Sequence, residues 1–160
     1  MSNIIKNKRI NIETELLKNP NNFKTKKFYK KFLVMNNIKY KLIFANEYYM
    51  KILLILESLT LDVKIIFSKN YPFSKPIVII NNLEYFIYRQ IDLKYEKFLN
   101  GKCLCCNSIL CNWSPYFTIF DIFKEIYDLF LIKCRILKIK LCEKVVDKIF
   151  GFYLPIVDFL

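Results

Sequence analysis

The chain has 160 residues, of which 54% are hydrophobic and 17% aromatic, and it carries a formal net charge of +12 with no histidine. A chain this apolar can bury a sizeable core, which excludes disorder over most of its length and predicts a single domain over residues 1–160. The lack of histidine excludes imidazole-based acid-base catalysis and every zinc site that needs a histidine ligand.

The positive charge has two interpretations. Clusters of Lys and Arg bind the phosphates of nucleic acids. Here, however, Lys, Asn, Ile, Phe and Tyr are all abundant while there are only two glycines. That bias is typical of AT-rich genomes, such as those of large DNA viruses and intracellular parasites. We therefore attribute the charge to composition and expect no nucleic-acid partner.

The first half of the chain predicts a helix followed by a sheet. Residues 4–18 place apolar positions among charged ones and stop before Asn19-Pro20, which is typical of a short amphipathic helix. Residues 21–31 are rich in Lys and Asn and predict a loop. Four short runs of aromatic and branched residues then predict a four-stranded antiparallel meander. These runs are Phe32–Met35, Ile38–Phe44, Met50–Leu56 and Leu61–Phe67.

The last third predicts helices. Thr118-x-x-Asp121 has the form of a capping box, and apolar residues follow it at helical spacing. A second helical stretch is expected over Ile136–Ile149, ending at Gly151. The fold class is therefore α+β. No apolar run reaches the roughly 18 residues of a membrane span, so we expect a cytoplasmic protein without a membrane partner.

The cysteines are concentrated in one segment. Four of the six lie between Gly101 and the sequence Trp113-Ser114-Pro115, and upstream of them the chain reads Tyr71-Pro72-Phe73-Ser74-Lys75-Pro76. In a chain expected to be cytoplasmic, such thiols are better explained as catalytic groups or metal ligands than as disulfides.

This order of elements and motifs resembles that of the ubiquitin-conjugating enzymes, most strongly over residues 8–131. The resemblance implies the ubiquitin-conjugating fold with its active-site loop, and a transferase that carries ubiquitin or a ubiquitin-like modifier as a thioester. In the family a hydrophobic residue precedes the catalytic cysteine, another follows it four residues later, and Trp follows it eight residues later. Cys105 matches this pattern through Leu104, Ile109 and Trp113, and Cys103 is the alternative.

One part of the family pattern is missing. The family usually carries His-Pro-Asn before the cysteine, and its Asn is thought to support the oxyanion, but residues 86–95 contain none of the three residue types. Loss of one oxyanion donor typically costs about 10²- to 10³-fold in rate. The amides of Asn100, Asn107 and Asn112 are candidate replacements.

The resemblance also implies partners: the modifier, an ATP-dependent activating enzyme and a ubiquitin ligase. In the family these enzymes dock on the first helix and on two loops that carry a Phe and a Ser-Pro. Lys8, Arg9, Phe73, Ser114 and Pro115 stand at the matching positions. A basic helix face would complement an acidic surface of the activating enzyme.

Two other functions stay open. The chain could be a catalytically inactive adaptor that uses the conjugating fold to bind ubiquitin or a ligase. It could also be an interaction module stabilised by zinc on Cys103, Cys106 and Cys111, although this spacing is atypical of structural zinc sites. If the protein is not such a zinc module, we expect it to need no cofactor. Cys134 and Cys142 are expected to be buried core residues.

Overall fold

The computed structural model of the chain describes residues 2–19, 27–57, 59–91, 95 and 108–157. These residues form helices around one antiparallel sheet, which confirms the α+β class. None of the helices in the described ranges has the length and apolar character needed to cross a membrane. In chain order the elements are α1 (Ser2–Lys18), α2 (Lys27–Met35), β1 (Ile38–Ala45), β2 (Tyr49–Leu56), β3 (Leu59–Ile66), β4 (Ile77–Ile80), β5 (Leu83–Glu84), α3 (Tyr85–Tyr88) and α4 (Ile119–Val157).

The sheet is a meander in which every strand pairs antiparallel with the next, in the order β1-β2-β3-β4-β5. Its alternation is clearest in β2, where Met50, Ile52 and Leu54 are fully buried and the residues between them are half-buried. Successive strand residues point to opposite faces, so one face of the sheet is core and the other faces outward. Asn81 and Asn82 turn the chain from β4 to β5 at positive φ (50° and 66°), as a type I′ turn requires.

The core lies between the sheet and helices α1, α2 and α4. Phe120 and Phe123 of α4 contact the ring of Tyr40 in β1, with centroids 5.8 and 5.6 Å away. Tyr29 of α2 stacks on Phe120 at 5.4 Å. The Tyr40 hydroxyl also donates a hydrogen bond to the carbonyl of Leu17 in α1, at 3.1 Å. One tyrosine of the sheet therefore contacts two of the three helices.

The start of α4 forms one half of the predicted capping box, the bond from the Thr118 backbone to the Asp121 carboxylate. The backbone N–H of Thr118 donates to Oδ2 of Asp121 at 2.7 Å, and the Thr118 hydroxyl lies 3.0 Å from the same oxygen. The Tyr29 hydroxyl donates to both oxygens of this carboxylate at 2.9 Å. Because Asp121 serves the cap and α2 together, the cap also fixes where α2 packs.

The predicted strand over Phe32–Met35 is wrong, because these residues end helix α2. The helix also takes in Lys27–Lys31, where a loop was predicted. A four-residue apolar run has the same composition in a strand and in a buried helix turn. The helix is favoured here because Tyr29 and Phe32, three residues apart, lie on one helix face. From that face they contact Phe120 and Tyr127. The sheet instead gains β4 and β5, so its described strands number five rather than four.

The two predicted C-terminal helices form one continuous helix, α4. Between the predicted segments the chain reads Leu131-Ile-Lys-Cys-Arg135, which contains no helix-breaking residue. The backbone also remains helical through Gly151, where an end was predicted. Cys134 is half-buried and Cys142 is exposed, so the expectation that Cys142 is a core residue is wrong.

Candidate functional site

The two motif loops, which we call the loop pair (residues 71–76 and 113–117), are joined directly. The indole N–H of Trp113 donates to the carbonyl of Pro72 at 2.7 Å. The Trp113 ring also packs between Tyr71 and Phe117, at centroid distances of 6.1 and 5.9 Å. Tyr71 is fully buried, and its peptide bond to Pro72 is cis. The two halves of the sequence motif therefore form one structural unit.

Arg9 attaches helix α1 to this unit. Its guanidinium donates to the carbonyls of Pro115 and Phe117, at 3.1 and 2.6 Å. It also forms an ion pair with Glu13 one helical turn later, at 2.7 Å. Arg9 was predicted to present charge to a partner, but in the structure much of its hydrogen-bonding capacity is directed inward.

Glu13 extends the same connection. Its side chain is almost fully buried, and its Oε2 accepts a hydrogen bond from the backbone N–H of Ile119 at 3.4 Å. Burial raises the pKa of Tyr71 well above its usual range, with a further increase from Glu13 and a decrease from Arg9. The first helix, both motif loops and the start of α4 thus converge on a single buried ion pair.

The loop pair presents aromatic side chains to solvent. Phe73 is 67% exposed and Tyr116 is 90% exposed. Ser114 and Pro115 are half-buried beside them, and Lys8 is exposed on α1. Isolated exposed hydrophobic residues are ordinary, but two aromatic rings on loops fixed to each other form a preset surface. Sequence reasoning missed Tyr116, although its position directly after Ser-Pro could have indicated it.

The predicted catalytic residue, Cys105, and its alternative, Cys103, lie outside the described residues. Cys106 and two of the candidate oxyanion donors, Asn100 and Asn107, also lie outside them. The structure does describe the residues on either side of this segment, beginning with Tyr95 before it and Ser108 after it.

The segment after the cysteines is held by a compact turn. Ser108 is buried, and its carbonyl accepts hydrogen bonds from the N–H groups of Cys111 and Asn112, both at 3.0 Å. Its hydroxyl accepts from the N–H of Leu110 at 3.1 Å. The N–H of Ile109 donates to Oε2 of Glu125 in α4 at 2.9 Å. This turn places Asn112, the one described oxyanion candidate, on the surface, with its amide 3.4 Å from the Ser108 carbonyl.

Tyr95 forms the corresponding anchor before the cysteines. It is fully buried, and its hydroxyl donates to Oε2 of Glu143 in α4 at 3.0 Å. The ammonium group of Lys140 lies 5.0 Å from the centre of its ring. Glu125 and Glu143 are separated by about 27 Å along α4, at the usual helical rise. The cysteine segment therefore connects two points that are each fixed to the same helix.

A buried polar cluster beside this segment was not foreseen from the sequence. Arg89 lies 3.7 Å from Oε1 of Glu125, and both side chains are largely buried. Burial raises the pKa of Tyr85 far above its usual range, and nearby Glu125 raises it further. Tyr85 and Arg89 of this cluster line a cleft of about 240 Å³, and exposed Cys111 also lies in its lining. Residues so far apart in sequence carry no local signal of such a cluster.

The zinc hypothesis is only partly covered by the structure. Of its three proposed ligands, Cys111 is described and is an exposed free thiol, whereas Cys103 and Cys106 lie outside the described residues. Within the described part of the chain, no three His, Cys, Asp or Glu side chains are grouped so that they could hold a metal ion.

Comparison of the chain with protein-family models, with curated proteins and with solved structures gave no match. Membership of the ubiquitin-conjugating family therefore stays a prediction that depends on the motifs and on how the fold arranges them.

Proposed function

We propose that this protein is a divergent ubiquitin-conjugating enzyme with the ubiquitin-conjugating fold. It would take ubiquitin or a ubiquitin-like modifier from an activating enzyme as a thioester on Cys105. It would then pass the modifier to a substrate lysine or to a ligase. The observation that supports this most is the joining of α1 to the loop pair through Arg9 and Trp113. The resemblance assigns partner docking to these three segments, and they meet in space.

The proposed chemistry needs one reactive thiol. The Cys105 thiolate attacks the carbonyl of the activating enzyme's thioester, a new thioester forms on Cys105, and the activating enzyme leaves as a thiol. An ordinary cysteine is a few per cent ionised at neutral pH, and this suffices against a thioester. The absence of histidine is therefore compatible with this step.

Transfer of the modifier to an amine needs a group that stabilises the tetrahedral intermediate, because this intermediate carries negative charge on oxygen. A positioned N–H donor stabilises that charge. Without His-Pro-Asn, the donor would be Asn112 or one of Asn100 and Asn107.

Partner docking would use the exposed part of the loop pair. Phe73 and Tyr116 offer apolar surface. In the docking scheme that the resemblance implies, exposed Lys8 of α1 would add a positive charge. Ser114 and Pro115 would support these contacts from half-buried positions. Arg9 would contribute mainly through its internal hydrogen bonds, which hold the second loop of the loop pair against α1.

The catalytically inactive adaptor is the second candidate, favoured by the missing His-Pro-Asn. It would use the same docking surface without forming a thioester. A charging assay distinguishes the two. The protein is incubated with activating enzyme, ATP and ubiquitin, or another modifier with its own activating enzyme, and analysed on non-reducing gels.

The variants for this assay are Cys105→Ala, Cys103→Ala and Cys106→Ala, with Cys142→Ala as the matched control for loss of an exposed thiol. We expect a thiol-sensitive adduct that disappears only in Cys105→Ala. An adduct lost only in Cys103→Ala would move the catalytic site to the alternative cysteine. No adduct with any modifier would favour the adaptor, and stoichiometric zinc without a reactive thiol would favour the zinc module.

A further inference from the structure

Helix α4 exposes a row of aliphatic side chains, which we call the outer stripe: Leu137, Leu141 and Val145. They are 58%, 55% and 56% exposed. Their spacing of four residues places them on one side of the helix, one above the other. From the sequence alone, this basic helix had no functional explanation beyond packing in the core, and a row of exposed aliphatic residues was not expected.

The opposite side of the same helix already packs on the domain. Ile136 is buried and Ile132 and Ile139 are half-buried, at helix angles roughly opposite the outer stripe. On this side Glu143 accepts a hydrogen bond from Tyr95. Lys133, on the flank between the two sides, donates to the carbonyl of Tyr88. Beyond Leu131, then, α4 is apolar on two sides, and the domain covers one of them. A helix apolar on both sides normally has a neighbour on each.

The margins of the outer stripe are basic. Lys144 lies along one margin and Lys138 along the other, and both are exposed. Arg135, also exposed, lies about 60° beyond Lys138 around the helix. Residues 131–145 include five basic residues and one acidic residue, Glu143, which is used on the inner side. Whatever covers the stripe therefore meets positive charge on both sides.

We propose that the outer stripe binds an amphipathic helix of a partner protein whose own apolar row is bordered by Asp and Glu. A second copy of this chain fits poorly, because it would place Lys and Arg against Lys and Arg, and like charges at such spacing repel. A bilayer surface fits less well than a helix. The stripe has one residue per turn and covers about 80° of the helix, narrower than the face of 100° or more that surface helices bury. A narrow row suits the seam between two helices.

The proposal is independent of the thioester chemistry and can be tested with the full chain. The probe is a fluorescein-labelled synthetic helix with a Leu row bordered by Glu, and its control is the same peptide bordered by Lys. Binding is measured by anisotropy at low and high salt. We expect the Glu peptide to bind, the Lys peptide to bind much more weakly, and salt to reduce the difference because these charges are exposed.

Matched variants locate the binding site. Leu137→Gln and Leu141→Gln should each weaken binding at least about tenfold, because each removes a large apolar contact. Lys138→Glu should weaken it about twofold to fivefold. The controls are Ile4→Gln, an exposed apolar residue on α1, and Lys69→Glu, an exposed lysine in a loop. Ile4 is a suitable control because α1 contacts the start of α4, and Leu141 lies about 33 Å further along the axis. Circular dichroism verifies that each variant is folded.

Several results would overturn the proposal. One is equal binding of the Glu and Lys peptides, and another is no binding of the Glu peptide by the wild type. Binding to phosphatidylserine vesicles that Leu141→Gln abolishes would assign the stripe to a lipid surface instead. Dimerisation in sedimentation velocity that Leu141→Gln abolishes would assign it to a second copy.

Discussion

Replacing Arg9 with Met should destabilise the fold strongly, although Arg9 is a charged helix residue with part of its side chain in water. The substitution removes an ion pair of 2.7 Å to the nearly fully buried Glu13. It also removes two hydrogen bonds, to the carbonyls of Pro115 and Phe117. Breaking a buried pair by removing one partner typically costs about 3–5 kcal/mol. The Arg9 side chain is 21% exposed, so water weakens the pair and we take about 3 kcal/mol.

For a domain of this size, about 3 kcal/mol corresponds to a melting temperature lower by roughly 6–12 °C. The assay is urea unfolding followed by fluorescence, because the chain has a single tryptophan, Trp113, and it lies in the loop that Arg9 holds. The matched control is Lys8→Met, an exposed neighbour on the same helix, for which we expect a change within about 0.5 kcal/mol.

A double variant tests the physical reason. Arg9→Met with Glu13→Leu removes both charges, so the buried carboxylate no longer lacks its cation. We expect it to be more stable than the sum of the two single changes by about 0.5–3 kcal/mol, the range found for residues in contact. Additive effects, or an Arg9→Met variant as stable as the Lys8→Met control, would refute the reasoning.

Three further predictions concern the same region. Trp113→Phe removes the indole hydrogen bond between the loops and leaves a carbonyl without it, so unfolding should become easier by about 1–3 kcal/mol in urea, measured by circular dichroism. Tyr95→Phe removes the bond to Glu143 and should cost about 1 kcal/mol; hydrogen exchange should rise near residue 143 and not near residue 125. Burial raises the pKa of Tyr71 and of Tyr85 in the folded state. Their contribution to stability is therefore complete below the unfolded pKa of about 10 and is lost as pH rises above it. Absorbance titration should show phenolate formation at these two positions only together with unfolding; free titration of every tyrosine near pH 10 in the folded protein would contradict their burial.

Much of the sheet was predictable because its strands carry a local signal. The runs predicted at Ile38–Phe44, Met50–Leu56 and Leu61–Phe67 correspond to β1, β2 and β3, since alternation of buried and outward residues is visible in a single strand. The run at Phe32–Met35 failed because four apolar residues do not distinguish a strand from a helix turn. The helical structure of this segment is stabilised by ring contacts between α2 and α4, and α4 is remote in sequence.

The candidate site was predictable only as a set of segments. The motifs indicated that residues 71–76 and 113–115 belong together, and the bond from Trp113 to Pro72 is consistent with that expectation. The role of Arg9 could not be read from the sequence, because an exposed basic residue and a buried ion-pair partner look the same on an amphipathic helix. The same limit applies to Arg89 with Glu125, because the fold brings the residue after α3 close to a residue of α4 that is 36 positions later.

The central claim is that Cys105 carries a modifier as a thioester, and intact-protein mass spectrometry tests it most directly. The wild-type chain is incubated with activating enzyme, ATP and ubiquitin, and its mass is measured before and after hydroxylamine. The account predicts an increase by one ubiquitin that hydroxylamine removes and that peptide mapping assigns to Cys105. A mass unchanged with ubiquitin and with other modifiers, or an adduct that resists hydroxylamine and maps to a lysine without passing through a cysteine, would contradict it.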